Sequence, residues 1–300
     1  MNIFITGSSG FIGSHVLRFL SKTKHNILAL IRDNPNNYGL INTVSGDLNS
    51  FDAISNQLFE FEPDVIIFLS WEGIPDFSGK MCKKNLFTAI KYFDEIIENT
   101  NCKKIIVSGS CFEYGKTQGS CKESDPVNIE SHFTWAKNSL REYLDIKCKQ
   151  KGIVFNWLRI FYVYGPNQRD ESLVPTLIKS ISTLGIPQIK TPLNKNDFIY
   201  VDDIAKLIVK AIDTPMPSGI YNAGSGTASS VSDICRIVER QLLGTERITK
   251  QILANGEKTA TVNFWADMNK TNNIINQTSK TSLEYGIKHH IKSMGYDFFS

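Results

Sequence analysis

Ile3-Phe4-Ile5-Thr6-Gly7-Ser8-Ser9-Gly10-Phe11-Ile12-Gly13 is the stretch that decides the fold. An apolar run reads as a buried strand, three glycines follow at three-residue intervals, and the apolar spacing that resumes at Ile12 reads as a helix. The three glycines differ in what they do. Gly7 permits the tight turn, Gly10 lets the backbone approach a pyrophosphate, and Gly13 lets the helix pack on its strand. The free amides at the helix start face negative phosphates. A strand, a glycine loop and a helix in this order predict a dinucleotide site.

Outward from this stretch, short apolar runs at 2–6, 27–31, 42–45, 64–69, 104–108 and 153–160 read as buried strands. Between them, 12–22, 51–60, 81–99 and 131–150 carry apolar residues at helical spacing, as in Leu86, Ile90, Phe93 and Ile97. Strands alternating with helices predict an α/β fold, a Rossmann-type doubly wound parallel sheet. After Tyr164-Gly165-Pro166 the pattern loosens into a helix near 171–183, a strand near 197–201, and helices near 202–213 and 229–242. The expected division is a dinucleotide-binding domain over 1–165, with 197–215 packing back onto it. A smaller C-terminal substrate-binding lobe takes 166–196 and 216–300.

Composition narrows the function classes. With 33 basic and 30 acidic residues and no long block of like charge, nucleic acid is not the expected partner. The six cysteines form no C-x-x-C pair, so neither a zinc site nor a disulfide framework is indicated, and no metal is expected. Neither a basic leader nor an 18-residue apolar stretch is present, which predicts a cytoplasmic protein that crosses no membrane.

At the end of the second strand, where a carboxylate would hold the ribose hydroxyls of NAD, the chain reads Ala29-Leu30-Ile31-Arg32. A guanidinium suits the 2′-phosphate of NADP, because its planar fork of donors matches a phosphate dianion. NADP is therefore preferred over NAD, although Asp33 adds an opposing charge beside Arg32.

Further segments carry a resemblance. Gly46-Asp47-Leu48, Asp64-Val65-Ile66-Ile67-Phe68-Leu69-Ser70, Leu158-Arg159-Ile160-Phe161-Tyr162-Val163-Tyr164-Gly165-Pro166 and Asp197-Phe198-Ile199-Tyr200-Val201-Asp202-Asp203-Ile204-Ala205 join the glycine loop. Together they resemble the extended short-chain dehydrogenase/reductase family, in its branch acting on nucleotide-linked sugars. The resemblance implies that Gly7, Ser9, Gly10, Phe11, Ile12, Arg32, Asp47, Leu48, Leu69, Ser70, Ser108, Lys137 and Val163 hold the dinucleotide. It implies a sugar-nucleotide pocket containing Trp71, Ser110, Cys111, Tyr162, Leu173, Val174 and Lys195, and a homodimer joined through 81–99 and 131–150.

The same resemblance places the family's catalytic serine at Ser110, within Val107-Ser108-Gly109-Ser110-Cys111-Phe112-Glu113-Tyr114-Gly115. Family dehydratases follow this hydroxyl with an acidic pair; Cys111 and Phe112 stand here, which disfavours dehydration. The family's tyrosine lies one helical turn before a lysine that holds the nicotinamide ribose and lowers the phenol's pKa. This chain reads His132-Phe133-Thr134-Trp135-Ala136-Lys137, so the lysine is in place and Phe133 occupies the tyrosine position. Three readings compete: a substitution made to trap a bound substrate, a natural loss of activity, or a proton supplied by another group such as His132 or Tyr162. The first is preferred, since phenylalanine removes only the hydroxyl.

Tyr162 and Asn196 also depart from the family's asparagine and arginine near the sugar diphosphate, and Lys195 can stand in as a point charge. Arg32 tips the expected reaction toward consumption of NADPH. The implied function is a 4-ketoreductase of a nucleotide-linked 4-keto-6-deoxy sugar. A nucleotide-sugar 4-epimerase using NAD is the alternative, and a catalytically silent dinucleotide-binding or sensor protein is the alternative from another class.

Overall fold

The computed structural model describes residues 1–32, 41–276 and 281–299. Asp33 lies outside the described residues. β1 (Asn2–Thr6) leads through the glycine loop into α1 (Phe11–Leu20), followed by β2 (Asn26–Ile31), β3 (Asn42–Ser45), α2 (Asp52–Phe61), β4 (Val65–Phe68), α3 (Gly79–Asn99) and β5 (Lys104–Ser110). A 3-10 turn at Cys111–Tyr114 precedes β6 (Gln118–Cys121), α4 (His132–Lys151), β7 (Val154–Ile160) and β8 (Tyr162–Tyr164). The chain continues through α5 (Leu173–Ser182), β9 (Lys195–Asn196), β10 (Phe198–Tyr200), α6 (Val201–Asp213) and β11 (Gly219–Ala223). It closes with β12 (Ser229–Ser230), α7 (Val231–Leu243), α8 (Arg247–Asn255), β13 (Asn263–Ala266), α9 (Asn269–Ile275) and α10 (Leu283–Ser293).

Seven parallel strands form the main sheet in the order β11-β7-β5-β4-β1-β2-β3. Every residue of β4 is buried, which explains its unbroken apolar run Val65-Ile66-Ile67-Phe68. One face packs on α1 and α6 through Val16, Leu17, Leu20, Ile204 and Ile208; the other packs on α2, α3 and α4 through Ile54, Leu86, Phe93, Leu140 and Leu144. Strand order reverses between β1 and β4, so the chain departs in opposite directions from their carboxyl ends and leaves a crevice there.

β11 belongs to this sheet, paired with β7 from Gly219↔Asn156 to Ala223↔Ile160. The division expected at 216 therefore needs correction, since residues 219–223 complete the sheet rather than the lobe. Alternating burial is weak in this strand, which is why its sequence carried no clear sign.

The lobe has its own core of Val174, Ile178, Ile234, Val238, Ile252, Ile287 and Ile291. A small sheet, β12-β9-β13-β6, ties it to the loop after β5. Asp197 locks the joint: its carboxylate accepts from the amides of Ser225 (2.6 Å), Gly226 (2.8 Å) and Ala266 (3.1 Å). A second tie joins α1 to the lobe entrance, where the His15 ring contacts Asp202 at 2.6 Å and the Pro166 carbonyl at 3.0 Å. Burial works against ionisation of Asp202, but hydrogen bonds from His15 and Arg18 outweigh it and hold its pKa at about 2.

Candidate functional site

The crevice between β1 and β4 opens as a cleft of about 800 Å³. Gly7, Ser9, Gly10, Arg32, Asp47, Leu48, Leu69, Ser70 and Trp71 all line it. Gly7 has φ +72°, a left-handed conformation, and a Cβ there would stand 2.8 Å from the Leu69 carbonyl carbon. Gly13 packs so tightly that a Cβ would lie 2.0 Å from the Gly7 oxygen. A Cβ on Gly10 would meet only that same oxygen, at 3.1 Å, and would otherwise project into open space. Backbone bared in this way, at the start of α1, fits the pyrophosphate of a dinucleotide.

Asp47 caps the short turn after β3, its Oδ1 accepting from the Asn49 amide at 2.7 Å. Arg32 ends β2 at the rim of the cleft. Leu30, Gly46, Asn49, Phe68, Glu72, Asn85, Thr88 and Ala89 complete the lining, and sequence reasoning missed them. For Asn85 the signal was a polar residue on the buried stripe of α3: its side chain receives the Glu72 amide (2.7 Å) and donates to the Glu72 and Met81 carbonyls (3.0 Å each).

Phe11, Ile12, Ser108, Val163 and Lys137 do not line this cleft. The Phe11 ring packs against the lobe core and Ile12 against the core on the α1 face, leaving their backbone alone to face a ligand. Ser108, Ser110, Phe133 and Lys137 gather instead beyond Trp71, at the carboxyl end of β5. Lys137 is 3% exposed, and its ammonium donates to the Ser108 carbonyl at 2.8 Å. Its Nζ lies 4.1 Å from the centre of the Trp71 ring and 6.0 Å from the rings of Phe133 and Trp157. Burial lowers its pKa to about 7, against the opposing pull of Glu113.

Phe133 is buried within an aromatic cluster: Phe77 at 4.6 Å, Trp71 at 5.5 Å and Phe112 at 6.2 Å between ring centres. The Trp71 indole N–H is buried without a hydrogen-bond partner. Ser110 is fixed from behind, its Oγ accepting from the Phe112 amide at 3.2 Å and its own amide donating to Glu113 Oε1 at 2.9 Å. Glu113 is 0% exposed and also accepts from Trp157 Nε1 and Arg159 Nε, both at 2.9 Å. This buried brace was also missed, although Glu113 and Arg159 both sit in segments that the sequence singled out.

A second cleft of about 900 Å³ lies on the lobe side, lined by Phe112, Lys116, Gln118, Glu130, Thr134, Tyr162 and Phe264 among others. Of the residues expected at the sugar, Tyr162 lines this cleft and Trp71 the first. Cys111 needs correction: it is 3% exposed, packed in the core with Cys121 and Phe161, and burial pushes its thiol pKa well up. Val174 is likewise 1% exposed in the lobe core, with Leu173 packed against it. Lys195 is exposed on β9 and lines neither cleft. His132 faces outward beside Lys80, Lys83 and Trp135, away from Ser110, so it is badly placed to supply a proton. Burial raises the Tyr162 phenol above its usual range, which makes it a poor acid.

All six cysteines are buried free thiols. Among the described residues no group of three metal-ligating side chains gathers, and no helix is long and apolar enough to cross a membrane.

Comparison with known proteins agrees with this geometry. The family described as the NAD dependent epimerase/dehydratase family matches residues 3–224. Among curated proteins, the chain is 24% identical to the dTDP-6-deoxy-L-talose 4-dehydrogenase (NAD(+)) of Aggregatibacter actinomycetemcomitans, covering 77% of this chain and 87% of that protein. It is also 24% identical to the dTDP-4-dehydro-6-deoxyglucose reductase of Escherichia coli, covering 80% and 81%. Among solved structures, the UDP-glucose 4-epimerase of Thermotoga maritima with UDP-glucose superposes with a TM-score of 0.82 at 19% identity, covering 98% of each chain. A tyrosine-to-phenylalanine mutant of the Bacillus cereus UDP-glucuronic acid 4-epimerase, with a fluorinated sugar nucleotide and NAD, superposes with a TM-score of 0.80 at 24% identity, covering 98% and 99%.

Proposed function

The chain belongs to the NAD dependent epimerase/dehydratase family, and from that premise we propose that it is an NADPH-dependent 4-ketoreductase of a nucleotide-linked 4-keto-6-deoxy sugar. The observation that carries this reading is Arg32, a guanidinium at the rim of the dinucleotide cleft, where a 2′-phosphate needs a cation. The names of the talose dehydrogenase and the deoxyglucose reductase, both acting on dTDP-linked 6-deoxy sugars, support the substrate class. The rings of Trp71, Phe77 and Phe112 around Phe133 suit a sugar carrying a methyl rather than a hydroxymethyl group.

When bound, the reduced nicotinamide supplies the hydride. The glycine loop and the start of α1 hold the pyrophosphate, Arg32 the 2′-phosphate, and Asp47 with Leu48 the adenine. Lys137 has two ammonium hydrogens left over from Ser108, enough to bond the nicotinamide ribose. Ser110 Oγ, with its lone pair engaged by Phe112, presents its O–H to the sugar's reacting oxygen. Exposed Phe87 on α3 and Ile146 on α4, at 64% and 60%, mark the surface where a second copy docks. Six free thiols suit a reducing cytoplasm.

A 4-epimerase using NAD is the second reading, favoured by the dehydrogenase relative that names NAD(+). Incubation of the Phe133→Tyr variant with dTDP-4-dehydro-6-deoxyglucose and NADPH separates the readings. Steady NADPH consumption supports the reductase. Interconversion of sugar nucleotides without net consumption supports the epimerase, and no reaction with any sugar nucleotide leaves a silent dinucleotide-binding protein.

A further inference from the structure

We propose that Lys137 is itself the proton donor of this site, giving a hydrogen from Nζ, directly or across one water, to the oxygen left charged when hydride reaches the sugar's carbonyl carbon. The proposal rests on the reductase reading and explains how the reaction proceeds with Phe133 in place. Balance is simple: the carbonyl carbon gains the hydride, the π pair moves to oxygen, oxygen takes the proton from Nζ, and solvent restores the ammonium afterwards.

Three observations converge on Nζ. First, Phe133 removes the phenol, and neither neighbour replaces it: His132 faces the outer surface beside Lys80 and Lys83, and the buried Tyr162 phenol is a weak acid. Second, the surroundings leave the ammonium under-committed. Its hydrogen-bond acceptor among the described residues is Ser108 O, so two of its three hydrogens meet only ring faces, chiefly that of Trp71. One can serve a ribose and one the reacting oxygen. Third, Lys137 is tethered to β5 two residues before Ser110, and residues two apart on a strand share a face, so Nζ and Ser110 Oγ are directed to the same side.

The environment also makes Nζ willing to give its proton. Charged groups on the packed elements are few: Glu113 on the 3-10 turn, Arg159 on β7, which is bonded to Glu113, and the Glu72–Lys84 pair beyond β4. Arg159 occupies one Glu113 oxygen, while Ser110 N and Trp157 Nε1 occupy the other, so that carboxylate is spent on other donors. Desolvation therefore prevails and brings the ammonium to about 7, where an acid is most effective near neutral pH.

The test combines a titration with kinetics. In the unmodified chain carrying nitrogen-labelled lysine, one Nζ resonance should titrate near pH 7 and vanish in Lys137→Arg; a Lys137 that titrates with the bulk lysines overturns the proposal. With dTDP-4-dehydro-6-deoxyglucose and NADPH, kcat of the unmodified chain should fall about tenfold per pH unit above about 7, because the donor must be protonated. Lys137→Arg keeps the charge but cannot release its proton, so kcat should drop by about 10²–10⁴ while the NADPH dissociation constant changes little. Restoring the phenol with Phe133→Tyr should raise kcat of the unmodified chain less than about tenfold, well short of the 10²–10⁴ expected when no donor is present. If Phe133→Tyr turns over and the unmodified chain does not, the reductase reading stands and Lys137 is not the donor. If neither turns over, the reductase reading fails and this proposal falls with it.

Discussion

From Arg32 to Ser70 the cleft is walled mainly by backbone, glycines and small polar groups; from Trp71 to Phe133 it is walled by rings. In the first half, side chains are withheld: Gly7, Gly10 and Gly13 leave the β1–α1 turn bare, and Phe11 and Ile12 turn into the core. In the second half, Trp71, Phe77, Phe112 and Phe133 crowd around Ser110 and Lys137. A phosphate asks for amides, which every residue type carries, so the first half can persist while chemistry changes. The second half handles one sugar and one proton, and there the chain departs from its family.

The largest expected effect would break the second half alone. Glu113→Leu leaves Arg159 charged and unpaired at 1% exposure, and losing one partner of a buried pair costs about 3–5 kcal/mol. Urea unfolding should show that loss, and the surviving folded fraction should bind NADPH within about twofold of normal, since distant sites add. Equal loss of dinucleotide affinity would mean the two halves are one unit.

Gly10→Val tests the first half by itself. A branched side chain enters the space left for the pyrophosphate, so NADPH affinity should fall by more than about a hundredfold, or about 2.8 kcal/mol. Because a Cβ at Gly10 meets little but the Gly7 oxygen, the melting temperature should hold. Normal binding by calorimetry in this variant would remove the loop from the site altogether.

Arg32→Ala sharpens the comparison at the rim. One charge-assisted contact to phosphate is worth about 1.5–3 kcal/mol, so the preference for NADPH over NADH should shrink by about ten- to a hundredfold. Equal dissociation constants for the two cofactors in the unmodified chain would exclude Arg32 from that role.

The smallest effect is a slope. Lys137 titrates near 7 when folded and near 10.5 otherwise, so between those values the unfolded chain binds the extra proton and stability rises with pH. That contribution is complete above 10.5 and is lost as pH falls through 7. One proton contributes at most about 1.4 kcal/mol per pH unit, and Lys137→Met should flatten the rise measured between pH 7 and 8 by about 1 kcal/mol.

Sequence reading served the two halves unequally. The strands β1, β2, β4, β5 and β7 were legible because burial on both faces demands unbroken apolar runs such as Ile105-Ile106-Val107. Gln118–Cys121 and Lys195–Asn196 were not, since strands this short and polar exist through their pairing partners rather than their own pattern. At the site, glycines announce themselves by spacing, whereas Cys111 looked like a neighbour of the sugar only because it follows Ser110. The 3-10 turn rotates it into the core and brings Glu113 back under Ser110. Local chain order cannot reveal that a glutamate three residues on will be clasped by an arginine from β7.

The place of β11 at the edge of the main sheet bears on how the chain comes to life on the ribosome. β7 stays an open edge until residue 223 has emerged, and β6 waits for its partner β13 until residue 266 is made. At about 5–20 residues per second, the loop that carries Ser110 stays unbraced for several seconds after its own synthesis. Nascent chains halted near residue 200 should expose β7 to protease and to stray strands, whereas the dinucleotide cleft, built from β1 to β4, can already have closed.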